Sequence, residues 1–221
     1  MFFFVWSAKG GSGTTVTSIC LAGSVAQRST NGVLLVDLAG DGPMACGRPT
    51  PRWGVTDWLA TPDGSSSALS RLEIEMSTFS MLAAGSSEGW SGGRVDDLVA
   101  ALAADRRHIV VDGGVIGTRQ ESSSLDLLKH RLLAEAGRSV LVTRACYLGL
   151  RRAANVAQRI DVVVLVREAG RELDRGDIAR SLSVDHVVEV DYDPMLSRLV
   201  DSGRLVDRSH RVIDRALRKV A

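Results

Sequence analysis

The chain has 221 residues, of which 45% are hydrophobic and 24% charged, and its formal net charge is +1. These values are ordinary for a globular protein, so we expect residues 1–221 to form one α/β domain. The small net charge provides no general attraction for nucleic acid or for a membrane surface. No segment approaches the ~20 consecutive apolar residues that a membrane span requires.

The cysteines and histidines form no recognisable framework. Cys20, Cys46 and Cys146 are odd in number and far apart, which favours reduced thiols and a cytoplasmic protein. The four histidines lack metal-ligand spacing, so we predict no metal site of their own. The apolar residues 2–5 have no basic region before them, unlike a signal peptide.

The first predicted elements are a strand at residues 2–5, a glycine-rich turn, and a helix that fades near residues 29–32. The turn reads Lys9-Gly10-Gly11-Ser12-Gly13-Thr14-Thr15. Its glycines let the backbone curl closely around a ligand. Free N–H groups and the positive end of the helix dipole would then bind an anion, most simply a nucleotide phosphate. Thr15 stands where a P-loop places the hydroxyl that ligates Mg²⁺. A glycine-rich turn that binds nothing is the alternative.

This turn resembles the deviant Walker A motif, Lys-Gly-Gly-x-Gly-Lys-Thr, of the ParA/MinD superfamily of P-loop ATPases. Lys9 matches the front lysine of that motif, and Thr14 replaces its in-loop lysine. The Gly-Thr-Thr ending resembles most the CpaE/TadZ branch, which is linked to polar pilus assembly. The resemblance implies a doubly wound, mostly parallel sheet of about seven strands with helices on both faces. It also implies ATP and Mg²⁺ as ligands, with the nucleotide contacted by Lys9, Gly10, Gly11, Ser12, Gly13, Thr14 and Thr15.

The second predicted strand is the apolar run at residues 33–37, which ends in Asp37. A continuous apolar run is typical of a strand buried on both faces of a parallel sheet. In the resembled family this segment reads Val-Leu-Leu-Val-Asp-x-Asp. The first aspartate there helps to organise Mg²⁺, and the second orients the attacking water. Here Asp37 matches the first, whereas Ala39 occupies the second position and Asp41 follows two residues later, as a displaced candidate.

The middle of the chain is predicted to be loop at residues 42–51, 61–67 and 86–93, with short helix 55–59 and helix 95–104. Strands are predicted at residues 72–76 and 79–84. The next strand, at residues 108–112, ends in Asp112-Gly113-Gly114. This resembles a Walker B motif, whose carboxylate holds Mg²⁺ through water while the glycines keep space near the γ-phosphate. An aspartate that merely caps a strand-to-loop turn is the alternative.

Strands and helices continue to alternate to the end of the chain. Strands are predicted at residues 139–143, 162–166 and 187–190, and helices at 124–135, 144–160, 173–182, 195–205 and 210–220. This alternation predicts a parallel sheet covered on both faces. In many relatives the strand at 162–166 ends in an asparagine that reads adenine, whereas this chain has Val166 followed by Arg167.

The resemblance implies a homodimer in which two protomers face each other across two nucleotides, with Lys9 reaching the phosphates of its partner. The chain keeps Thr15, Asp37 and Asp112 for the metal but lacks the lysine at Thr14 and the carboxylate at Ala39. We therefore expect nucleotide binding to persist better than hydrolysis. One hypothesis is a dimerising switch with weak ATPase activity that positions a pilus, division or partition machinery. The other is a P-loop scaffold that acts by protein–protein contacts without turnover.

The basic residues near the carboxyl terminus resemble the surface with which ParA-like dimers hold DNA without sequence specificity. Aspartates are interleaved among them, which favours helix faces that screen their own charge and makes DNA the less favoured partner. The arginines are Arg198, Arg204, Arg208, Arg211, Arg215 and Arg218, and the aspartates are Asp201, Asp207 and Asp214.

Overall fold

The computed structural model describes residues 1–87, 90, 92–117, 123–156, 158–206 and 211–221, without the side chains at positions 92, 211 and 212. Within these residues the chain forms one sheet of eight strands with helices on both faces. The predicted doubly wound α/β fold is confirmed, with one strand more than the roughly seven expected.

The sheet has the strand order β3-β4-β2-β5-β1-β6-β7-β8. Neighbouring strands are parallel except for the short edge strand β3, which runs antiparallel to β4. The strands are β1 (Phe2–Ser7), β2 (Val33–Asp37), β3 (Ile74–Glu75), β4 (Ser80–Leu82), β5 (His108–Val115), β6 (Arg138–Arg144), β7 (Val162–Arg167) and β8 (Val187–Asp191).

The helices divide between the two faces of the sheet. Those described are α1 (Thr14–Ala26), α2 (Gly42–Ala45), α3 (Val55–Ala60), α4 (Ser66–Ser70), α5 (Val95–Ala104), α6 (Ser124–Glu135), α7 (Tyr147–Asn155), α8 (Arg175–Leu182), α9 (Pro194–Asp201) and α10 (Arg211–Leu217), and a 3₁₀ turn (Gly92–Arg94) precedes α5. Helices α3 to α8 pack on one face, and α1, α2, α9 and α10 pack on the other. No helix among the described residues is long and apolar enough to cross a membrane.

Alternation along β1 builds the two hydrophobic cores. Phe4 and Trp6 belong to the core under α3 to α8, whereas Phe3 and Val5 belong to the core under α1, α9 and α10. All four are fully buried. Successive side chains of a strand point to opposite faces, so a central strand with both faces covered must be apolar at every position. This requirement is why the apolar runs predicted the central strands correctly.

Three predicted boundaries are wrong for local reasons. Helix α2 lies inside a predicted loop, because Pro43 opens its first turn and the Asp37 carboxylate accepts the Gly42 N–H. Helix α4 begins within predicted loop 61–67, where the Ser65 hydroxyl accepts an N–H of its first turn. Helix α9 ends at Asp201 rather than at 205, because Gly203 takes a left-handed conformation (φ 63°) that terminates it.

The topology opens a crevice at the carboxyl edge of the sheet beside β1. Strand β1 pairs with β5 on one side and with β6 on the other. The chain leaves β1 through α1 to β2, and it leaves β5 through α6 to β6, so the two connections diverge across β1. Open α/β sheets bind ligands at such a switch point.

Candidate functional site

The glycine loop connects β1 to α1 at this crevice. Gly11 (φ 76°) and Gly13 (φ 91°) take left-handed conformations that residues with a Cβ rarely adopt. Apart from the adjacent residues in the chain, no described residue has an atom within 4 Å of a Cβ built at Gly10, Gly11 or Gly13, so the space beside these glycines is open. The Ser12 hydroxyl donates a hydrogen bond of 2.7 Å to the Lys9 carbonyl and holds the loop together. The first N–H groups of α1 have no partner within the helix and point toward this space.

A cavity of about 680 Å³ lies above the loop. Its walls include every residue from Gly10 to Thr15 together with Ala39, Asp41, Gly114 and Lys129. Oriented N–H groups at a helix N-terminus attract anions, and this cavity is large enough for a ligand of nucleotide size. The structure therefore brings six of the seven predicted nucleotide-contacting residues to one cavity, and the exception is Lys9.

Asp112 lies beneath the cavity at the end of the apolar part of β5. It is 1% exposed, and its Oδ1 accepts the Gly114 N–H at 3.0 Å. Its Oδ2 is buried without a hydrogen-bond partner among the described residues. Burial first, and then the charge of Asp37, raise the pKa of Asp112 to about 7, against the opposing influence of the Thr15 hydroxyl, the Gly114 N–H and Lys129.

Asp37 is the neighbour of Asp112 in the parallel register of β2 and β5. Three backbone N–H groups of the following turn occupy its carboxylate: those of Ala39 and Gly40 on Oδ1, at 2.9 and 2.8 Å, and that of Gly42 on Oδ2, at 2.9 Å. Burial nevertheless raises the pKa of Asp37, and nearby Asp41 adds to the rise. The carboxylate of Asp37 thus organises the β2–α2 turn, a role that the sequence analysis did not assign to it.

The predicted metal residues fit Mg²⁺ by the chemistry of their donors. Mg²⁺ prefers oxygen ligands and keeps part of its water shell. The Thr15 hydroxyl lies near the Asp112 carboxylate, whose unpartnered Oδ2 is the kind of buried oxygen that a cation would satisfy. Among the described residues no group of three or more His, Cys, Asp or Glu side chains forms a metal cage, so the phosphates and water would supply the other ligands.

The two glycines after Asp112 have different roles from each other. A Cβ on Gly113 would lie 2.4 Å from the ring of Phe4, in the core and away from the cavity. The register between β1 and β5 shifts at this point, which indicates a β-bulge. Of these two glycines, Gly114 (φ 60°) is the one that lines the cavity, and a Cβ on it would lie 3.1 Å from the Cβ of Ala39. The prediction that both glycines keep the phosphate space open is therefore wrong for Gly113.

Lys9 lies beside the cavity and does not line it. The residue is half-buried. The N–H groups of Gly149 and Leu148, at the start of α7, are the main cause of a lowered pKa of the Cys146 thiol, and the charge of Lys9 adds a smaller contribution. This contribution indicates that the charge of Lys9 acts on Cys146, the residue before α7. Lys9 therefore contacts the glycine loop through its backbone, but it is not part of the cavity wall that the other predicted nucleotide-contacting residues form.

Ala39 and Asp41 both line the cavity, on the β2–α2 turn. Ala39 therefore occupies the cavity wall at the position where the resembled family has its second aspartate. Asp41 is exposed at the N-cap of α2, and its side chain makes no capping hydrogen bond. Gly40 (φ 92°) separates the two residues and turns the backbone between them.

A second cavity, of about 250 Å³, continues from the glycine loop toward β7 and β8. Ser12, Gly13 and Val200 line both cavities. Apolar side chains from β7, β8 and α9 form much of the second one, and the guanidinium of Arg144 lies 5.9 Å from the ring centroid of Tyr192 at its wall. The combination of apolar wall, aromatic ring and guanidinium is suited to a flat heterocycle.

Sequence reasoning missed Lys129 as a residue of the site. It is 8% exposed on α6, and it lines the cavity above the glycine loop. The spacing in the sequence could have identified it, because Lys129 falls among Leu125, Leu128 and Leu132 on the apolar face of α6. A lysine is seldom buried without a partner. Its presence on an apolar helical face therefore indicated a specific environment.

The described basic residues near the carboxyl terminus are exposed and partly neutralised. Arg198, Arg204 and Arg215 are exposed, and Arg218 pairs with Asp214 at 2.8 Å. Arg208 and Asp207 lie outside the described residues, as does the side chain of Arg211. The pair between Arg218 and Asp214 supports a helix face that screens its own charge.

No protein-family model matches this sequence, and no curated protein sequence matches it. Solved structures do match the fold. A ParA family ATPase from Chlorobium tepidum TLS superimposes with a TM-score of 0.76 at 19% identity, covering 97% of this chain and 98% of that chain. The septum site-determining protein MinD from Pyrococcus horikoshii OT3, in complex with Mg-ADP, has a TM-score of 0.75 at 14% identity and coverages of 99% and 94%.

A chain of the MinC:MinD cell division protein complex from Aquifex aeolicus is also similar, with a TM-score of 0.74 at 17% identity and coverages of 100% and 96%. At these identities the similarity concerns architecture and does not extend to activity. Each of the three matches covers at least 97% of this chain. The chain thus has the fold of the ParA and MinD ATPases.

Proposed function

We propose that this chain is a ParA/MinD-like nucleotide switch that binds Mg·ATP at the glycine loop and hydrolyses it slowly at most. The observation that supports this most directly is the arrangement of Thr15 and Asp112 beneath an open glycine loop, with one buried carboxylate oxygen left without a partner. Residues 1–221 would act as one nucleotide-binding domain, because both cores share the same sheet.

In this proposal each part of the site has a distinct task. The loop N–H groups hold the phosphates, and the second cavity between β7, β8 and α9 takes the base. Thr15 and Asp112 would hold Mg²⁺, which neutralises charge on the phosphate oxygens when bound. Asp37 keeps the β2–α2 turn in place below them through its three N–H contacts.

Slow hydrolysis follows from the residue at position 39. Phosphoryl transfer depends on positioning the attacking water and on stabilising charge. The methyl group of Ala39 lines the cavity but has no acceptor with which to orient a water molecule. Asp41, on the same turn, is the carboxylate that would have to take over this task.

The position of Lys9 outside the cavity wall supports a dimer. Lys9 is not among the residues that line the cavity above its own glycine loop. It would reach the phosphates held by a second copy of the chain. The related MinD structures, one with Mg-ADP and one in a cell division complex, support a nucleotide-controlled association that positions cargo. A pilus-linked role of the CpaE/TadZ kind stays a prediction from the Gly-Thr-Thr ending.

A second candidate is a scaffold that has lost turnover. The absence of the in-loop lysine and of a carboxylate at position 39 favours it, as does the use of both Asp37 oxygens by the backbone. Such a protein would keep the fold and its partner surfaces without responding to ATP.

Calorimetric titration of ATP, with Mg²⁺ and with EDTA, distinguishes the two candidates. We expect Mg²⁺ to tighten ATP binding, and we expect the Thr15→Val variant to lose most of that effect, about ten- to a hundredfold in affinity. Thr30→Val makes the same chemical change at an exposed position and should behave as the wild type. If the wild type binds no ATP in the presence of Mg²⁺, the scaffold is the correct description.

A further inference from the structure

Lys129, on α6, forms part of the wall of the cavity above the glycine loop. The helix begins at a capping box formed by Ser123 and Asp126 and packs through Leu128 and Leu132 against the core. Lys129 lies on the same buried side of the helix. Packing alone does not explain a lysine there, because an aliphatic side chain would fill the volume without desolvating a charge.

The ammonium of Lys129 has few partners among the described residues. Its Nζ donates one long hydrogen bond, 3.4 Å, to the Val115 carbonyl, and no ion pair joins it to a carboxylate in the part of the chain that the structure describes. An ammonium has three N–H donors, so two remain for a ligand or for water. Nζ lies 3.9 Å from the place where a Cβ would stand on Gly114, and the missing side chain leaves the ammonium open to the cavity.

The charges around Lys129 explain how it remains in this position. Burial lowers its pKa, while the carboxylates of Asp126, Asp112 and Asp37 act in the opposite direction and favour the ammonium form. The burial of Lys129 would be explained by a role as counter-ion of Asp112 and Asp37 if its Nζ contacted one of these carboxylates directly. Instead the ammonium is directed at the open cavity, where an anionic ligand would add negative charge in front of it.

The uncharged residue at position 14 gives the ammonium of Lys129 its importance. Thr14 is 7% exposed, lines the same cavity and has no charge. In a P-loop, the residue at this position is the lysine that reaches the β- and γ-phosphates. Lys9 lies outside the cavity, which leaves Lys129 as the cationic side chain on the described wall of the cavity.

We propose that Lys129 binds the terminal phosphates of the nucleotide from α6, and so replaces the in-loop lysine that Thr14 has displaced. This inference rests on the proposed nucleotide site. It predicts that the chain discriminates ATP from AMP through a residue outside the glycine loop, on the helix that follows β5.

Calorimetric titrations with Mg·ATP, AMP and inorganic tripolyphosphate test this inference on the full chain. The variants are Lys129→Met and Lys129→Gln, which remove the charge in an apolar and in a polar form. Lys219→Met is the matched control, because Lys219 is exposed near the carboxyl terminus. Loss of one charge-assisted contact should weaken ATP binding about ten- to a hundredfold and leave AMP binding unchanged. Adding Thr14→Lys to the Lys129→Met protein should restore ATP affinity.

The possible outcomes separate this inference from the proposed function. If the wild type binds ATP and both Lys129 variants bind it equally well, Lys129 has no phosphate role and the nucleotide switch stands. An equal loss of ATP and AMP affinity would indicate a structural role for Lys129 and would also overturn the inference. If the wild type binds tripolyphosphate through Lys129 but no ATP, the anion site stands and the nucleotide function fails. Binding of neither probe overturns both.

Discussion

The buried carboxylate of Asp112 should destabilise the protein when no cation is bound to it. Its pKa is raised to about 7, first by burial and then by the charge of Asp37. An aspartate in an unfolded chain titrates near pH 4. Between these two values the folded protein holds the proton more tightly than the unfolded chain does. The contribution of Asp112 to stability therefore decreases as the pH rises from about 4 to about 7.

The magnitude follows from the difference in pKa. A shift of about 3 units, at about 1.4 kcal/mol per unit, corresponds to on the order of 4 kcal/mol of lost stability above pH 7. At pH 5 the same relation gives a smaller loss of stability, roughly 1 to 2 kcal/mol. Asp112→Asn removes the ionisation while it keeps the shape and an acceptor for the Gly114 N–H. We expect the variant in EDTA to be about 2 to 4 kcal/mol more stable than the wild type at pH 8.

Urea denaturation at pH 5 and at pH 8, in EDTA, measures this difference. Asp63→Asn is the matched control, because Asp63 is exposed and should change stability little at either pH. Mg·ATP should stabilise the wild type and should stabilise Asp112→Asn much less, because binding to the folded state adds to its stability. If Asp112→Asn is no more stable than the wild type at pH 8, or gains as much at pH 5, the ionised carboxylate of Asp112 does not destabilise the fold.

Four further substitutions test the dimer, the hydrolysis and the fold. Lys9→Ala should abolish any ATP-induced increase in mass by sedimentation, and an unchanged increase would remove Lys9 from the interface. Ala39→Asp should raise ATP turnover, whereas Asp41→Ala should change little; brisk wild-type turnover that Asp41→Ala abolishes would show that the carboxylate has moved along the loop. Asp57→Asn should destabilise the protein at pH 7 by about 1 to 3 kcal/mol in urea denaturation, because two backbone N–H groups and the Ser87 hydroxyl donate to this carboxylate. Burial alone would raise the Asp57 pKa, but these hydrogen bonds lower it below its ordinary value. The stabilisation by the Asp57 carboxylate is therefore lost as the pH falls below about 4. If Asp57→Asn and the wild type were equally sensitive to acid, this role of the carboxylate would be contradicted.

The sequence by itself determined the central strands, the glycine loop and the position of both aspartates. A strand covered on both faces must be apolar throughout, and the carboxyl ends of parallel strands lie at one edge of the sheet. These two facts were enough to bring Asp37 and Asp112 together, and the register pairs them directly. The loop conformation followed in the same way, because positive φ at Gly11 and Gly13 is what glycine permits.

Only the tertiary structure decided which side chains complete the site and how they are used. The metal role of Asp37 stays a prediction, and the structure adds that the turn after β2 folds back and directs three N–H groups at its carboxylate. Gly113 looked like a spacer for phosphate, but a bulge turns it toward Phe4. Lys129 is 115 residues from Thr14 in the chain, and it meets the same cavity because the packing of α6 brings its Nζ to the Val115 carbonyl at the end of β5. Local pattern determines each element, whereas the position of a charge across a cavity depends on how separate elements pack against each other.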